Sequence, residues 1–266
     1  MSNDAKLRVA DCLVSALLGK ERDERRAPPP ACGRGGRPGA RRSSRYSARE
    51  VIARAAREGY RVLSITNHDT LTFTTDLAAF ARDHGIVLIP GVEVTVEGRH
   101  VLIYNADVEV AKITTFAGLR HYRTPEWLVV APHPFFPSSY SLREKLWHEI
   151  ELFDAIEFSH FYTPRVDFNR AAVKLARAVG LPLIGTSDSH LDEQFGTTFS
   201  LVDAEAGVES VLSAIKAGRV SVVSRPLSLT RCLSILARHK VGAGRERART
   251  WLRPSPPPPQ TIFTPR

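Results

Sequence analysis

Five apolar stretches of this chain end in, or open on, side chains that can hold a metal ion. RVLSIT runs into Asn67-His68-Asp69, IVLIPGV into Glu93, and WLVVAP into His133. His100 opens HVLIYN, and LPLIGTS runs into Asp188-Ser189-His190. Imidazole and carboxylate without paired cysteines suit Zn, Mn or Fe(II), not a sulfur-rich structural zinc site. Asp188 and His190 are two residues apart, so an extended chain sends both from the same face. A single histidine after a strand is ordinarily a hydrogen-bonded structural residue. Four histidines and two acids at the ends of successive strands are a different matter, because in parallel β/α folds the sites collect where the strands finish. The remaining histidines read as structural: His84 precedes Gly85 at a helix end, where a capping donor suits the dipole, and His121, His148 and His239 lie in polar or helical stretches. His160 follows the strand AIEFS and faces the same end if that strand is extended.

The elements that must position these groups are readable between 47 and 225. SAREVIARAAREGY reads as a helix, capped by Ser47 with Glu50 three residues on and stopped at Gly59. TTDLAAFARDHG, SLREKLWHEIELF, DFNRAAVKLARAVG and GVESVLSAIKAG read as further helices. The apolar runs between them, with TTFSLVDA and VSVVS, read as strands. Alternation every ~25 residues is the signature of βα units around a parallel sheet. With the strand-end acids and imidazoles, it favours a closed or nearly closed barrel over a doubly wound sheet.

Composition limits the remaining possibilities. The 266 residues are 43% hydrophobic, enough for a packed core, and no run approaches the ~20 apolar residues of a membrane span. The first residues lack the basic start and apolar run of a secretion signal. Three widely spaced cysteines, Cys12, Cys32 and Cys232, argue against a disulfide framework and for a reducing, cytoplasmic setting. The formal charge of +9 invites a nucleic-acid reading. However, the excess sits in residues 20–49 and 226–266, while 50–225 is net acidic. The expected organisation is therefore a possible first strand within 1–19 and a basic Pro/Gly/Arg-rich disordered insertion at 20–46. A barrel at 47–225 follows, then a terminal helix and basic proline-rich tail at 226–266. Leu229, Leu233 and Leu236 give that helix an apolar, packing face. Basic flanks without interleaved aromatics make nucleic acid a possible partner, though not the favoured one.

At the strand ends the chain resembles the polymerase and histidinol phosphatase (PHP) superfamily of metal-dependent phosphoesterases. SITNHDT at 64–70 is similar to the family's strand into T-D-H-D-T. PGVEVTVEGRHVLIYN at 90–105 is similar to its apolar strand into G-x-E. Ala131-Pro132-His133-Pro134 is similar to its A-H-P, and Gly185-Thr186-Ser187-Asp188-Ser189-His190 to its G-S-D-x-H. The resemblance spans about 47–225. It implies a distorted seven-stranded, TIM-like β/α barrel with up to three divalent ions at the C-terminal strand ends. It makes His68, Glu93, His100, His133, Asp188 and His190 the ligands, with Glu93 bridging two ions. His100 and His133 complete the second ion, Asp188 serves the first, and His68 and His190 hold the third. Asp188, His190 and His68 are then the catalytic groups, and metal-activated water attacks the phosphorus of a small phosphorylated substrate. The family's opening D-x-H-x-H is replaced by Asp11-Cys12-Leu13-Val14-Ser15, so fewer than three ions are expected. Two alternatives follow: a catalytically weak metal-binding protein with a regulatory role, and a nuclease of the same family. An amidohydrolase barrel is disfavoured because its His-x-His and bridging Lys are not evident. Arg99, Arg143 and Arg165 fall near strand ends, where an arginine can pair with phosphate, although each reads first as a surface arginine.

Overall fold

In the computed structural model, the capping pattern at Ser47 starts the first helix as its sequence requires. The Ser47 hydroxyl accepts from the Glu50 N–H at 3.3 Å, and the Glu50 carboxylate accepts from the Ser47 N–H at 2.7 Å. Helix α1 (Ala48–Arg57) then buries Val51, Ile52 and Ala55 against Leu63 and Ile65. Residues 6–12, 47–188 and 194–235 are described. The basic insertion, Leu13, Ser15, His190 and the tail beyond 235 lie outside them. The chain forms two units, Met1–Pro226 and Leu227–Arg266.

The first unit holds strands β1 (Leu7–Cys12), β2 (Val62–Ile65), β3 (Val87–Val96), β4 (Arg99–Tyr104), β5 (Leu128–Ala131), β6 (Ala155–Ser159), β7 (Leu183–Thr186), β8 (Thr198–Val202) and β9 (Val220–Ser224). Helices α2 (Thr75–Asp83), α3 (Phe116–Tyr122), α4 (Glu144–His148), α5 (Asn169–Val179) and α6 (Val208–Lys216) lie between them. The strands form one sheet in the order β7-β6-β5-β4-β3-β2-β1-β8-β9. The expected seven-stranded barrel is thus corrected to nine strands in a nearly closed, barrel-shaped sheet. It is also of mixed direction: β4 is antiparallel to β3 and β5, and β8 to β1 and β9. The β3–β4 hairpin turns on Glu97 and Gly98, both left-handed at φ +48° and +74°. Two successive positive φ values are what a tight hairpin turn needs to match the strand twist.

Closure depends on β7 approaching β8. The Ser200 hydroxyl accepts from the Gly185 N–H at 2.9 Å and donates to the Gly185 carbonyl at 3.0 Å. A side chain thus bridges the two strands. Gly185 permits the approach: a Cβ there would lie 2.8 Å from Val222 Cγ1 and 2.9 Å from the Phe199 carbonyl oxygen.

Strand alternation then sorts the side chains. Val62, Ile89, Leu128 and Ile184 face inward near the starts of their strands, together with Val211, Leu212 and Ile215 of α6. The helix fills that end with apolar volume. Two-residue steps along β3, from Ile89 through Gly91 to Glu93, carry the same inward face to the opposite end. There the lining becomes polar.

In the second unit a helix covers 229–235, with Leu229 and Leu233 exposed. Leu236, the third leucine of the expected packing face, lies outside the described residues. Among the described residues, no helix is long and apolar enough to cross a membrane.

Candidate metal centre

Glu93 is buried, at 4% exposure, at the polar end of the barrel. Its Oε1 lies 3.0 Å from His100 Nδ1 and 3.3 Å from His133 Nε2, and its Oε2 lies 3.2 Å from His68 Nδ1. Each imidazole arrives by a separate route. After β2 the chain keeps pairing with β3: the Glu93 N–H donates to the Asn67 carbonyl at 3.2 Å and the Asp69 N–H to the Glu93 carbonyl at 2.9 Å. This backbone ladder sets His68 directly beside Glu93. His100 is the second residue of β4, which in a parallel sheet would put it at the wrong end. The antiparallel hairpin instead pairs His100 with Thr95, two residues beyond Glu93 on β3. His133 follows β5 with φ +30°, an uncommon conformation for a residue with a Cβ.

The donor atoms fit a divalent cation. One atom each from His68, Glu93 and His100 lie within 4.8 Å of one another. His100 Nδ1 is buried, 3.0 Å from Oε1. Imidazole nitrogens and a carboxylate oxygen gathered this closely are the donor types that a divalent ion takes. His133 stands 3.3 Å from the same oxygen.

The electrostatics follow from the burial of so much charge. Burial works to raise the Glu93 pKa, but hydrogen bonds and charge from His100 and His133 overcome it and hold the carboxyl well below the usual range. Burial likewise opposes the charged form of His133. Its hydrogen bond to Glu93 and the charges of Glu157, Glu93 and Asp188 nevertheless raise it to about 9. A metal-binding imidazole is neutral, so an ion held through His133 would displace its proton below about pH 9. Ion affinity is therefore expected to rise with pH across the neutral range, by up to about tenfold per unit, and to flatten above the His133 pKa. Titration calorimetry in buffers of different ionisation heat checks this. Equal affinity at about pH 6 and about pH 8 would contradict it.

Glu157 joins the site without having been marked in the sequence. It is inward-facing on β6, buried at 1% exposure, and accepts from the His133 N–H and the Thr186 hydroxyl. Burial first, and the nearby Asp188 charge with it, push its carboxyl up to about 7 against the pull of His133. Asp188 follows β7 at φ +37°, within electrostatic reach of His133 and Glu157. Asp69, beside His68, is turned to β3 and accepts from the Thr95 N–H at 2.7 Å and the Thr95 hydroxyl at 3.0 Å. His160 is buried, with Nε2 2.9 Å from the Gln194 amide nitrogen. It is not in the cluster found among the described residues. His84 Nδ1 donates to the Phe80 carbonyl at 2.8 Å, a helix-end contact. Arg99 Nη1 donates to the carbonyls of Ser139 and Ser141. Arg143 and Arg165 are exposed.

Residues 167–220, from just before α5 through β7, β8 and α6, match the PHP-associated family profile (PHP_C). No curated protein matches the chain. Among solved structures, PsfC from Pseudomonas syringae PB-5123 is 17% identical, with a TM-score of 0.49 over 74% of this chain and 88% of that one. A candidate metal-dependent phosphoesterase from Bifidobacterium adolescentis is 14% identical, with a TM-score of 0.43 over 55% of this chain and 82% of that one. An amidohydrolase from Chromobacterium violaceum, with bound sulfate and no metal, is 18% identical, with a TM-score of 0.44 over 66% of this chain and 92% of that one. The PHP-associated match at 167–220 lies in the same chain as the strand-end motifs that resemble the PHP superfamily, and covers α5, β7, β8 and α6.

Proposed function

We propose that this chain hydrolyses a phosphate ester, a phosphomonoester or small nucleotide, at a divalent-metal centre built on Glu93. The observation that carries the reading is one buried carboxylate faced by three imidazoles at 3.0–3.3 Å. An ion bound there supplies electrophilic assistance to a phosphoryl oxygen and lowers the pKa of a water. Glu93 presents Oε1 to His100 and His133 and Oε2 to His68, and these four residues would hold the ion. Asp188 extends the ligand set from the end of β7, and His190, outside the described residues, is assigned to it from the sequence alone. The His68 side chain is 38% exposed, the most open of the three imidazoles around Glu93, and we assign it to proton transfer at the leaving oxygen. Glu157 holds the His133 backbone in place.

The purified chain is expected to release phosphate from an aryl phosphate when Mn²⁺ or Zn²⁺ is supplied, and to stop when a chelator is added. Release that ignores both metal and chelator would refute the reading. So would failure of the metal-loaded chain to hydrolyse both aryl phosphate and nucleoside monophosphates.

A further inference from the structure

The short segment 138–141, between β5 and α4, touches two of the three histidines around Glu93. The Tyr140 carbonyl accepts from the His100 N–H at 2.9 Å, and its ring stacks on the His100 imidazole at 4.6 Å and 18°. Ser141 is fully buried. Its hydroxyl lies 3.0 Å from the His133 carbonyl and 3.4 Å from His133 Nδ1. Arg99, next to His100 on β4, donates to the carbonyls of Ser139 and Ser141 and ties the segment to the hairpin.

Donor accounting makes this arrangement directional. A serine hydroxyl has one proton to give. Here the proton goes to the His133 carbonyl, which can only accept. Toward Nδ1 the hydroxyl oxygen can therefore only accept, and Nδ1 must carry the hydrogen. In the neutral imidazole the lone pair is then on Nε2, the nitrogen that faces Glu93. Metal-binding histidines ordinarily need such a partner on their other nitrogen to fix tautomer and ring orientation.

We infer that Ser141 is a positioning residue that fixes the His133 tautomer for ion binding, with Arg99 and Tyr140 holding its segment against the site. The inference rests on His133 being a metal ligand, and the test separates the two. In the unaltered, ¹⁵N-labelled, zinc-loaded chain, histidine ¹⁵N shifts are expected to show His133 protonated at Nδ1 and metal-bound at Nε2. The opposite tautomer would overturn the proposal, and this measurement needs no variant to fold. Zinc affinity is expected to fall about 10–100-fold in Ser141→Ala and to recover in Ser141→Thr, which keeps the hydroxyl. His133→Ala should weaken binding at least as much. If it does, but Ser141→Ala binds zinc like the unaltered chain, His133 remains a ligand and the role of Ser141 is refuted. If His133→Ala leaves affinity unchanged, the ligand reading itself fails, and the proposal fails with it.

Discussion

Glu93→Gln is expected to remove tight divalent-ion binding and to lower metal-stimulated phosphate release by at least about a thousandfold. The substitution keeps the volume of a nearly fully buried side chain and deletes its charge. Both carboxylate oxygens face imidazoles, at 3.0 and 3.3 Å on one side and 3.2 Å on the other, so the other groups cannot take over its position. An amide offers one acceptor where the carboxylate offers two, and its NH₂ would repel an ion. Circular dichroism should show a folded chain, since the strand pairing through Glu93 is made by its backbone. Metal stoichiometry and steady-state rate check the outcome. A folded variant that keeps its rate within about tenfold would show that Glu93 is not the centre of the site.

Gly185→Val is expected to cost about 2–5 kcal/mol of stability, combining overpacking with loss of buried hydrogen bonds. The added Cβ meets a backbone oxygen at 2.9 Å as well as a Val222 methyl at 2.8 Å, and the backbone cannot rotate away as a side chain could. Relief requires β7 to withdraw from β8, which breaks the two hydrogen bonds through Ser200. Thr186 and Asp188 follow within three residues on the same strand end, so the site would loosen with the seam. Gly185→Ala should show a smaller loss of the same sign. Urea denaturation measures both, and unchanged midpoints would mean that the barrel does not close through this contact.

Much of this arrangement was legible in the sequence, and the parts that were not have physical reasons. The box at Ser47 and Glu50 is local chemistry, and α1 begins where it says. The strand runs are short and apolar, and each became a strand. The direction of β4 was not visible. Glu97-Gly98 reads as one more loop, and only its two left-handed φ values make it a hairpin. That direction matters, because it returns His100 to the end of the barrel where Glu93 lies. TTFSLVDA and VSVVS read as strands and form β8 and β9, but their antiparallel direction does not show in the sequence. Glu157 had a faint signal, an acid in phase with Ala155 on an otherwise apolar strand. Ser141 had none, because its role depends on a backbone carbonyl and a ring nitrogen eight residues away. The two carbonyls that Arg99 Nη1 reaches lie some forty residues away, a contact that a one-dimensional reading does not show.

The central claim is that an ion sits on Glu93. Anomalous diffraction from crystals of the unaltered chain soaked in Mn²⁺ or Zn²⁺ tests it most directly. The expected result is a peak about 2.0–2.2 Å from a Glu93 carboxylate oxygen and from at least one nitrogen of His68, His100 or His133. At saturating ion, no peak within coordination distance of Glu93, or a peak only at other residues, would contradict it.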